Sequence, residues 1–334
     1  MASRSDFWRL LVRLIGPALL VVVVWRLDDK AALWSSVTDA DPRLLAAALL
    51  LNIPVVHFKV VRWRELLSGR GYHYPLGRSY AAVLSSLYLG MLTPGRVGDV
   101  LRVQYVKREI DVSYAEGLAV TVMDRFCDLY VLAAVVALGT VHFATALDSN
   151  LVYVSWVSVA IAALAPSLFL FKGPADLLGR VLGRLSARWH TSLSSLLTAL
   201  RALIRKALFV AIPLTAASFA INYLQGWLIA QAMGIELSFV DVASLLATTS
   251  LLGLMPISVS GVGVRELFLA LVFPALGLLA AQGVAFGLLV FVCNYVAIVL
   301  AGFIAWQVSP PPFDVRDPAE ADLKGPERGD REGR

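Results

Sequence analysis

The chain has 334 residues, of which 58% are hydrophobic and 16% charged, and its mean hydropathy is +0.74. Soluble domains carry about 25% charged residues, so this composition excludes a soluble globular protein and predicts an integral membrane protein. The formal net charge is +5, but the lysines and arginines cluster at the ends of apolar segments. That placement is typical of cytoplasmic loops of membrane proteins and argues against a nucleic-acid partner.

Six apolar segments come close to or exceed the roughly 20 residues that cross a bilayer core. They are residues 10–27, 44–61, 117–140, 151–171, 208–233 and 283–307. Two further apolar stretches, at 81–92 and 242–255, are too short to cross, and such lengths are typical of re-entrant segments. The sequence therefore predicts an all-α integral membrane protein with about six membrane-spanning helices and two re-entrant helical hairpins.

The pattern predicts one polytopic membrane domain at 1–308 and a disordered tail at 309–334, which has few large apolar residues. All strongly basic loops fall on one side of this topology, which places both termini in the cytoplasm. Residues 175–206 combine leucines at helical spacing with a ladder of arginines. They predict an amphipathic helix on the cytoplasmic leaflet, and a surface helix packed on the bundle is an equal alternative.

Each predicted hairpin has a polar break at its tip. The first break contains Pro94, Gly95 and Gly98, and the second contains Pro256, Gly261 and Gly263. The loop charges make the first hairpin enter from the cytoplasm and the second from the opposite side. This arrangement predicts an inverted-topology repeat, with repeat one at about 44–140 and repeat two at about 208–307. Broken segments at matching places in two halves indicate a transporter's binding site.

The first break is followed by charged side chains at three-residue spacing, namely Arg96, Asp99 and Arg102. A helix that resumes after the break brings them to one side, and the planar guanidinium group suits phosphate. We expect Arg96, inside the break, to bind substrate. For Arg102 an ordinary positive-inside loop is the simpler interpretation, although it stays a candidate.

Three more ionisable residues, Asp124, Arg125 and Asp128, lie several residues into the third predicted span and share one helix face. Each costs at least ~2.5 kcal/mol inside a membrane, so such residues mark functional sites. Two carboxylates for one arginine predict a surplus acid that pairs with Arg96 or Arg102 or carries a proton. The alternative is an ion pair that satisfies itself and pins this helix to a neighbour.

The second hairpin and the span after it offer a hydroxyl-rich turn, one ion-pair couple and one amide: Ser258, Ser260, Arg265, Glu266 and Asn294. The short strings around Asp128 and Asn294 are similar, which predicts equivalent positions in the two halves. A tight turn needed only for helix packing, and an amide that joins two helices, are the alternatives.

No glycine-rich nucleotide-binding loop and no cluster with metal-ligand spacing occurs in the sequence, so we expect no cofactor, no metal site and no catalytic residue. Asp28 and Asp29 resemble an acidic motif of membrane glycosyltransferases and keep an enzyme as a minor alternative.

Three motifs, at 94–102, 123–128 and 256–266, resemble in order and spacing the lysylphosphatidylglycerol synthase transmembrane-region family. The resemblance implies a lipid translocase for charged or glycosylated lipids. The family's bifunctional enzyme carries a soluble aminoacyl-transferase domain, and we expect this chain, which ends in a short tail, to lack that activity.

We therefore expect a flippase of the plasma (inner) membrane that moves an anionic or phosphate-bearing lipid, polyprenyl-linked and glycosylated lipids included. Its partners are membrane lipids, while a homo-oligomer and a lipid-modifying enzyme partner stay open. The alternatives are a secondary transporter of a small solute or ion and a non-catalytic membrane partner of a lipid glycosyltransferase.

Overall fold

A computed structural model describes residues 17–27, 29–93, 98–143, 149–170, 187–253 and 261–310, and every statement below concerns these ranges. All regular elements in them are helical and none is a strand, so the predicted all-α class is confirmed. Several predicted features lie outside the described residues. They are Pro94, Gly95, Arg96, Pro256, Ser258, Ser260 and the tail from 311 onward.

Twelve helices run through the described ranges. The first six are α1 (Pro17–Arg26), α2 (Lys30–Thr38), α3 (Pro42–Ser68), α4 (Leu76–Leu92), α5 (Leu101–Ile110) and α6 (Tyr114–His142). The next six are α7 (Ser149–Leu170), α8 (Ala187–Ala202), α9 (Ile204–Ala232), α10 (Phe239–Leu252), α11 (Val264–Val272) and α12 (Ala280–Val308). Helix α9 contains a π-helical turn at Ala207–Ala211, and α12 contains one at Phe291–Val296.

Three helices are long and apolar enough to cross a membrane: α3 with 27 residues, and α9 and α12 with 29 each. At 1.5 Å per residue they reach about 40 Å, more than a bilayer core of about 30 Å. Helix α6 also has 29 residues but carries three charged residues near its middle. A membrane location is thus confirmed, while the number of six spans stays a prediction.

Helix α3 corrects one predicted boundary. The predicted span ended at residue 61, but the helix continues to Ser68 because Trp63, Leu66 and Leu67 extend its buried face. Arg62, which follows the predicted end of the span, consequently lies inside the helix and is buried.

At the places of the two predicted hairpins, α4 packs on α5 and α10 packs on α11. In the first, a Cβ on Gly98 would lie 2.2 Å from the backbone nitrogen of Gly90, so the chain returns directly against the end of α4. In the second, a Cβ on Gly261 would lie 3.4 Å from Cα of Gly253. Gly261 and Gly263 have φ of 74° and 83°, which glycine adopts without strain. Their re-entrant position in a membrane stays a prediction.

The two halves, α3–α6 and α9–α12, make equivalent helix contacts with each other. Helix α4 packs on α12, α10 packs on α6, and α3 packs on α9. Each hairpin therefore packs against the last long helix of the other half.

A glycine permits close approach at both of these crossed contacts. A Cβ on Gly302 of α12 would lie 2.5 Å from the carbonyl oxygen of Leu84 in α4, and one on Gly139 of α6 would lie 2.6 Å from Ser244 in α10. Small residues at helix interfaces are typical of membrane proteins. The two halves thus share their packing chemistry as well as their order of contacts.

The described part of the predicted amphipathic segment is α8, which packs on α6. Leu197 and Leu200 are buried in the same core cluster as Trp63 and Tyr105. Helix α8 accordingly packs one face on the bundle, and its contact with a leaflet stays a prediction.

Candidate functional site

Six side chains from α3, α5, α6 and the turn before α5, four of them buried and two half-buried, form a closed ring of alternating charge, here called the charge ring. In ring order its members are Arg62, Asp124, Arg102, Asp99, Arg125 and Asp128. Three arginines thus meet three aspartates, and no acid is left over within the ring. The predicted pairing of the surplus acid with Arg102 is present, since Asp124 contacts Arg102 at 3.0 Å. Arg62, which the prediction did not count, is a further partner of Asp124 and Asp128.

Asp124 is the centre of the buried side of the ring. Its Oδ1 lies 2.6 Å from Nε of Arg62, and its Oδ2 lies 3.0 Å from Nη1 of Arg102. Arg102 also donates from Nε to the Ser86 hydroxyl at 2.7 Å, and Arg62 donates to the Thr215 hydroxyl at 2.8 Å. The interpretation of Arg102 as an ordinary loop charge is therefore wrong, since its side chain is buried and bonded on two sides.

The other side of the ring is more open. Asp99 contacts Arg102 at 3.2 Å and Arg125 at 3.0 Å, and Asp128 contacts Arg125 at 2.9 Å and Arg62 at 2.5 Å. The side chains of Arg125, Asp128 and Asp99 are 24%, 14% and 10% exposed, against 1–2% for the other three.

A cavity of about 300 Å³ adjoins the open side of the charge ring. We call it the central cavity. Both halves line it: Lys59 on α3, Arg125 and Asp128 on α6, Ser250 on α10 and Asn294 on α12 are among the lining residues. The predicted pair of equivalent positions, Asp128 and Asn294, thus faces one cavity from the two halves.

Lys59 adds a positive charge to this site, since it lies close enough to Asp128 to interact with it electrostatically. Lys59 and the ring together count four cations and three anions among the described residues. The wall of the central cavity that the first half forms carries two cations, Lys59 and Arg125, beside the anion Asp128.

The charged pair of the second half is closed on itself. Arg265 donates to Oε1 of Glu266 at 2.9 and 2.7 Å, and Oε2 of Glu266 accepts the backbone N–H of Gly263 at 2.6 Å. The guanidinium group lies 5.4 and 5.3 Å from the ring centroids of Phe291 and Tyr295. Arg265 and Glu266 thus stabilise the start of α11, and neither lines the central cavity.

Asn294 lies in the π-helical turn of α12, and a second asparagine holds that turn. The Nδ2 group of Asn52 donates to the carbonyl oxygens of Cys293 at 2.7 Å and Leu49 at 2.9 Å. Single π-helical turns occur frequently at functional sites. Sequence reasoning missed Asn52; a buried amide in the middle of an apolar span was the available signal.

Metal binding gains no support from this geometry. In the described ranges no group of three or more histidine, cysteine, aspartate or glutamate side chains could hold a metal ion. The aspartates of the charge ring are already bonded to arginines.

The fold and site together define an all-helical membrane protein with two similarly packed halves and a charged cavity between them. The family described as the lysylphosphatidylglycerol synthase transmembrane region matches residues 13–302, and the chain belongs to this family.

A curated relative is the glycosyltransferase AglD of Haloferax volcanii, which is 29% identical over 135 residues. The match covers 40% of this chain and 21% of the relative, so the likeness concerns about a fifth of that protein. Together with the family it supports a membrane function related to lipids.

Proposed function

We propose that the protein is a lipid flippase that moves an anionic, phosphate-bearing lipid between the leaflets of the plasma membrane. The observation that carries this proposal is the central cavity, in which the open side of the charge ring and Lys59 meet polar groups of the second half. We place both termini of the protein in the cytoplasm, as the basic loops predict.

The charge balance favours an anionic headgroup. An ionised phosphate in an apolar environment is strongly disfavoured unless it is paired. Lys59 brings one positive charge beyond the neutral ring, and Arg125 is the ring's most exposed arginine. A phosphate that enters the central cavity thus meets the two cations Lys59 and Arg125, while the neighbouring Asp128 is already paired with Arg62 and Arg125.

An apolar groove next to the cavity supports a lipid rather than a small solute. Leu129 of α6 lines both the central cavity and a second cavity of about 240 Å³. That groove continues along Ile161, Ala162 and Ala165 of α7 and Leu251 of α10. A hydrocarbon tail in the groove keeps its apolar surroundings while the attached headgroup occupies the central cavity.

The crossed packing of the two hairpins supplies a way to alternate access. Helix α4 packs on α12, and α10 packs on α6. A hairpin that shifts therefore moves relative to the other half of the protein. In the proposed inverted repeat the two hairpins open the cavity to opposite leaflets. The lipid then moves along its own gradient, or with a proton or the membrane potential.

Reconstitution into liposomes tests the proposal. We expect purified protein to speed the exchange of fluorescent phosphatidylglycerol between leaflets, measured by the accessibility of the label to an impermeant quencher. Lys59→Met should lower the rate by about tenfold, the effect of losing one charge-assisted hydrogen bond. Lys107→Met, which removes an exposed partner of Asp111, is the matched control and should leave the rate unchanged. If the protein speeds the exchange of none of the anionic lipids offered, the proposal is refuted.

A second candidate is a membrane partner of a lipid glycosyltransferase, favoured by the likeness to AglD. An assay in detergent-solubilised membranes distinguishes the flippase from the glycosyltransferase partner. Such membranes have no leaflets, so lipid flipping cannot contribute to the synthesis measured in them. If loss of the protein still lowers the synthesis of lipid-linked sugar in detergent, the partner role is favoured; an unchanged rate favours the flippase.

A further inference from the structure

Among the described residues, those of the second half that line the central cavity are uncharged, and several of them are polar. Ser218 on α9, Ser250 on α10 and Asn294 on α12 belong to this wall, opposite Lys59 and Arg125 of the first half. Hydroxyl and amide groups bind neutral hydroxyls, whereas cations bind phosphate. A headgroup that fills the cavity therefore meets two chemically different surfaces.

Asn294 is the notable member of this wall. It is 4% exposed, lines the central cavity, and its Oδ1 has no hydrogen-bond partner among the described residues. Buried polar atoms are rarely left unpaired, and each exception calls for an explanation. Because the two ends of an amide are assigned from hydrogen bonds, either orientation leaves this amide with unused bonding capacity.

The amide is also held in a defined place. The π-helical turn that carries it is bonded to Asn52 of α3 through the Cys293 carbonyl oxygen at 2.7 Å. The neighbouring Tyr295 stacks on Phe291 with their ring centroids 5.9 Å apart, and Arg265 lies over both rings. A polar group fixed in this way binds a ligand with little loss of conformational entropy.

We propose that Asn294 determines specificity by bonding a hydroxyl group of the headgroup next to the phosphate. The ligand class is a phosphodiester lipid whose headgroup carries neutral hydroxyls, from glycerol or from a sugar. Its negatively charged phosphate faces Lys59 and Arg125, the two cations that line the opposite wall. An added ammonium group would compete for Asp128, which Arg62 and Arg125 already occupy.

This inference rests on the proposed flippase activity, and its test uses lipids of equal charge. Phosphatidylglycerol and phosphatidylethanol are both phosphodiesters, and only the first carries hydroxyls on its headgroup. In proteoliposomes the wild-type protein should move phosphatidylglycerol about three to ten times faster than phosphatidylethanol, which is the effect of one neutral hydrogen bond. We call the quotient of these two rates the ratio. Polyprenyl phosphoglucose, compared with a polyprenyl phosphoethanol, tells whether a sugar-bearing lipid or a glycerol-bearing lipid shows the larger ratio.

The variant Asn294→Leu should reduce the ratio of the two rates to about one. Gln231→Leu, which removes an exposed amide of α9, is the matched control and should keep the ratio. A wild-type ratio of one refutes the inference even if Asn294→Leu fails to fold, and so does an unchanged ratio in a folded Asn294→Leu. Absence of any lipid movement in the wild type refutes the flippase itself and the inference with it.

Discussion

Arg62 of α3 pairs with Asp124 of α6 at 2.6 Å, and both side chains are almost completely buried. This contact closes the charge ring and joins α3 to α6, the first and last helices of the first half. A buried ion pair adds little net stability, but removal of one partner leaves an unpaired charge in an apolar interior. The ring thus makes the arrangement of α3, α5 and α6 depend on all six members.

Arg62→Met should destabilise the protein by about 3–5 kcal/mol, because Asp124 and Asp128 both lose a partner. Chemical unfolding in detergent measures the loss. Arg78→Met, which removes an exposed pair with Glu109 at 3.5 Å, is the control and should cost less than about 1 kcal/mol. The double variant Arg62→Met with Asp124→Leu should recover part of the loss, and no recovery would contradict a charge-based cause.

Gly98→Ala should open the first hairpin. Its Cβ would lie 2.2 Å from the backbone nitrogen of Gly90, where no flexible side chain can yield. We expect lipid exchange to fall to near background and the midpoint of thermal unfolding to drop. Gly77→Ala, in the first turn of the same hairpin, meets nothing within 4 Å and should be neutral. Equal effects of the two substitutions would show that the close approach at Gly98 is unimportant.

The two crossed contacts between the halves should respond alike. Gly302→Ala pushes α12 from the backbone of Leu84, and Gly139→Ala pushes α6 from Ser244. We expect each to slow lipid exchange and to lower thermal stability by about 1–3 kcal/mol, the usual cost of overpacking. If only one of them changed the exchange rate, the hairpins would not play matching roles.

Stability should fall in acid through Asp241, at the start of α10. Burial acts to raise the pKa of this carboxyl, but hydrogen bonds from Ser238 and His142 outweigh it, so the pKa lies below its ordinary value. A lowered pKa in the folded state stabilises the protein above the ordinary value of about 3.9, and this stabilisation is lost as the pH falls further.

Asp241→Asn should therefore lower thermal stability at pH 6 and flatten its dependence on pH below about 4. Thermal unfolding followed between pH 3 and 7 measures both effects. A variant with the wild-type slope in acid would show that another carboxyl is responsible.

The comparison of pattern with structure shows where local reasoning worked. The breaks at Gly98 and at Gly261 and Gly263 were recognisable because glycine and proline act on the backbone within a few residues. The charges of α6 were recognisable because ionisable residues inside an apolar segment are rare. Arg62 was missed because a charged residue near the end of an apolar segment can belong to a loop or to a buried part of the helix. Only the packing of α3 on α6 shows that it is buried.

The sequence by itself determined the membrane class, the apolar segments and the positions of the two polar breaks, because composition and run length are local properties. The tertiary structure decided which charges pair, since Arg62 and Asp128 are 66 residues apart along the chain. It also decided that Lys59, Arg125 and Asn294 line one cavity. Electrostatic pairing depends on distances of a few ångströms, and the packing of α3, α5 and α6 within the first half sets those distances. Packing between the two halves brings Asn294 to the same cavity.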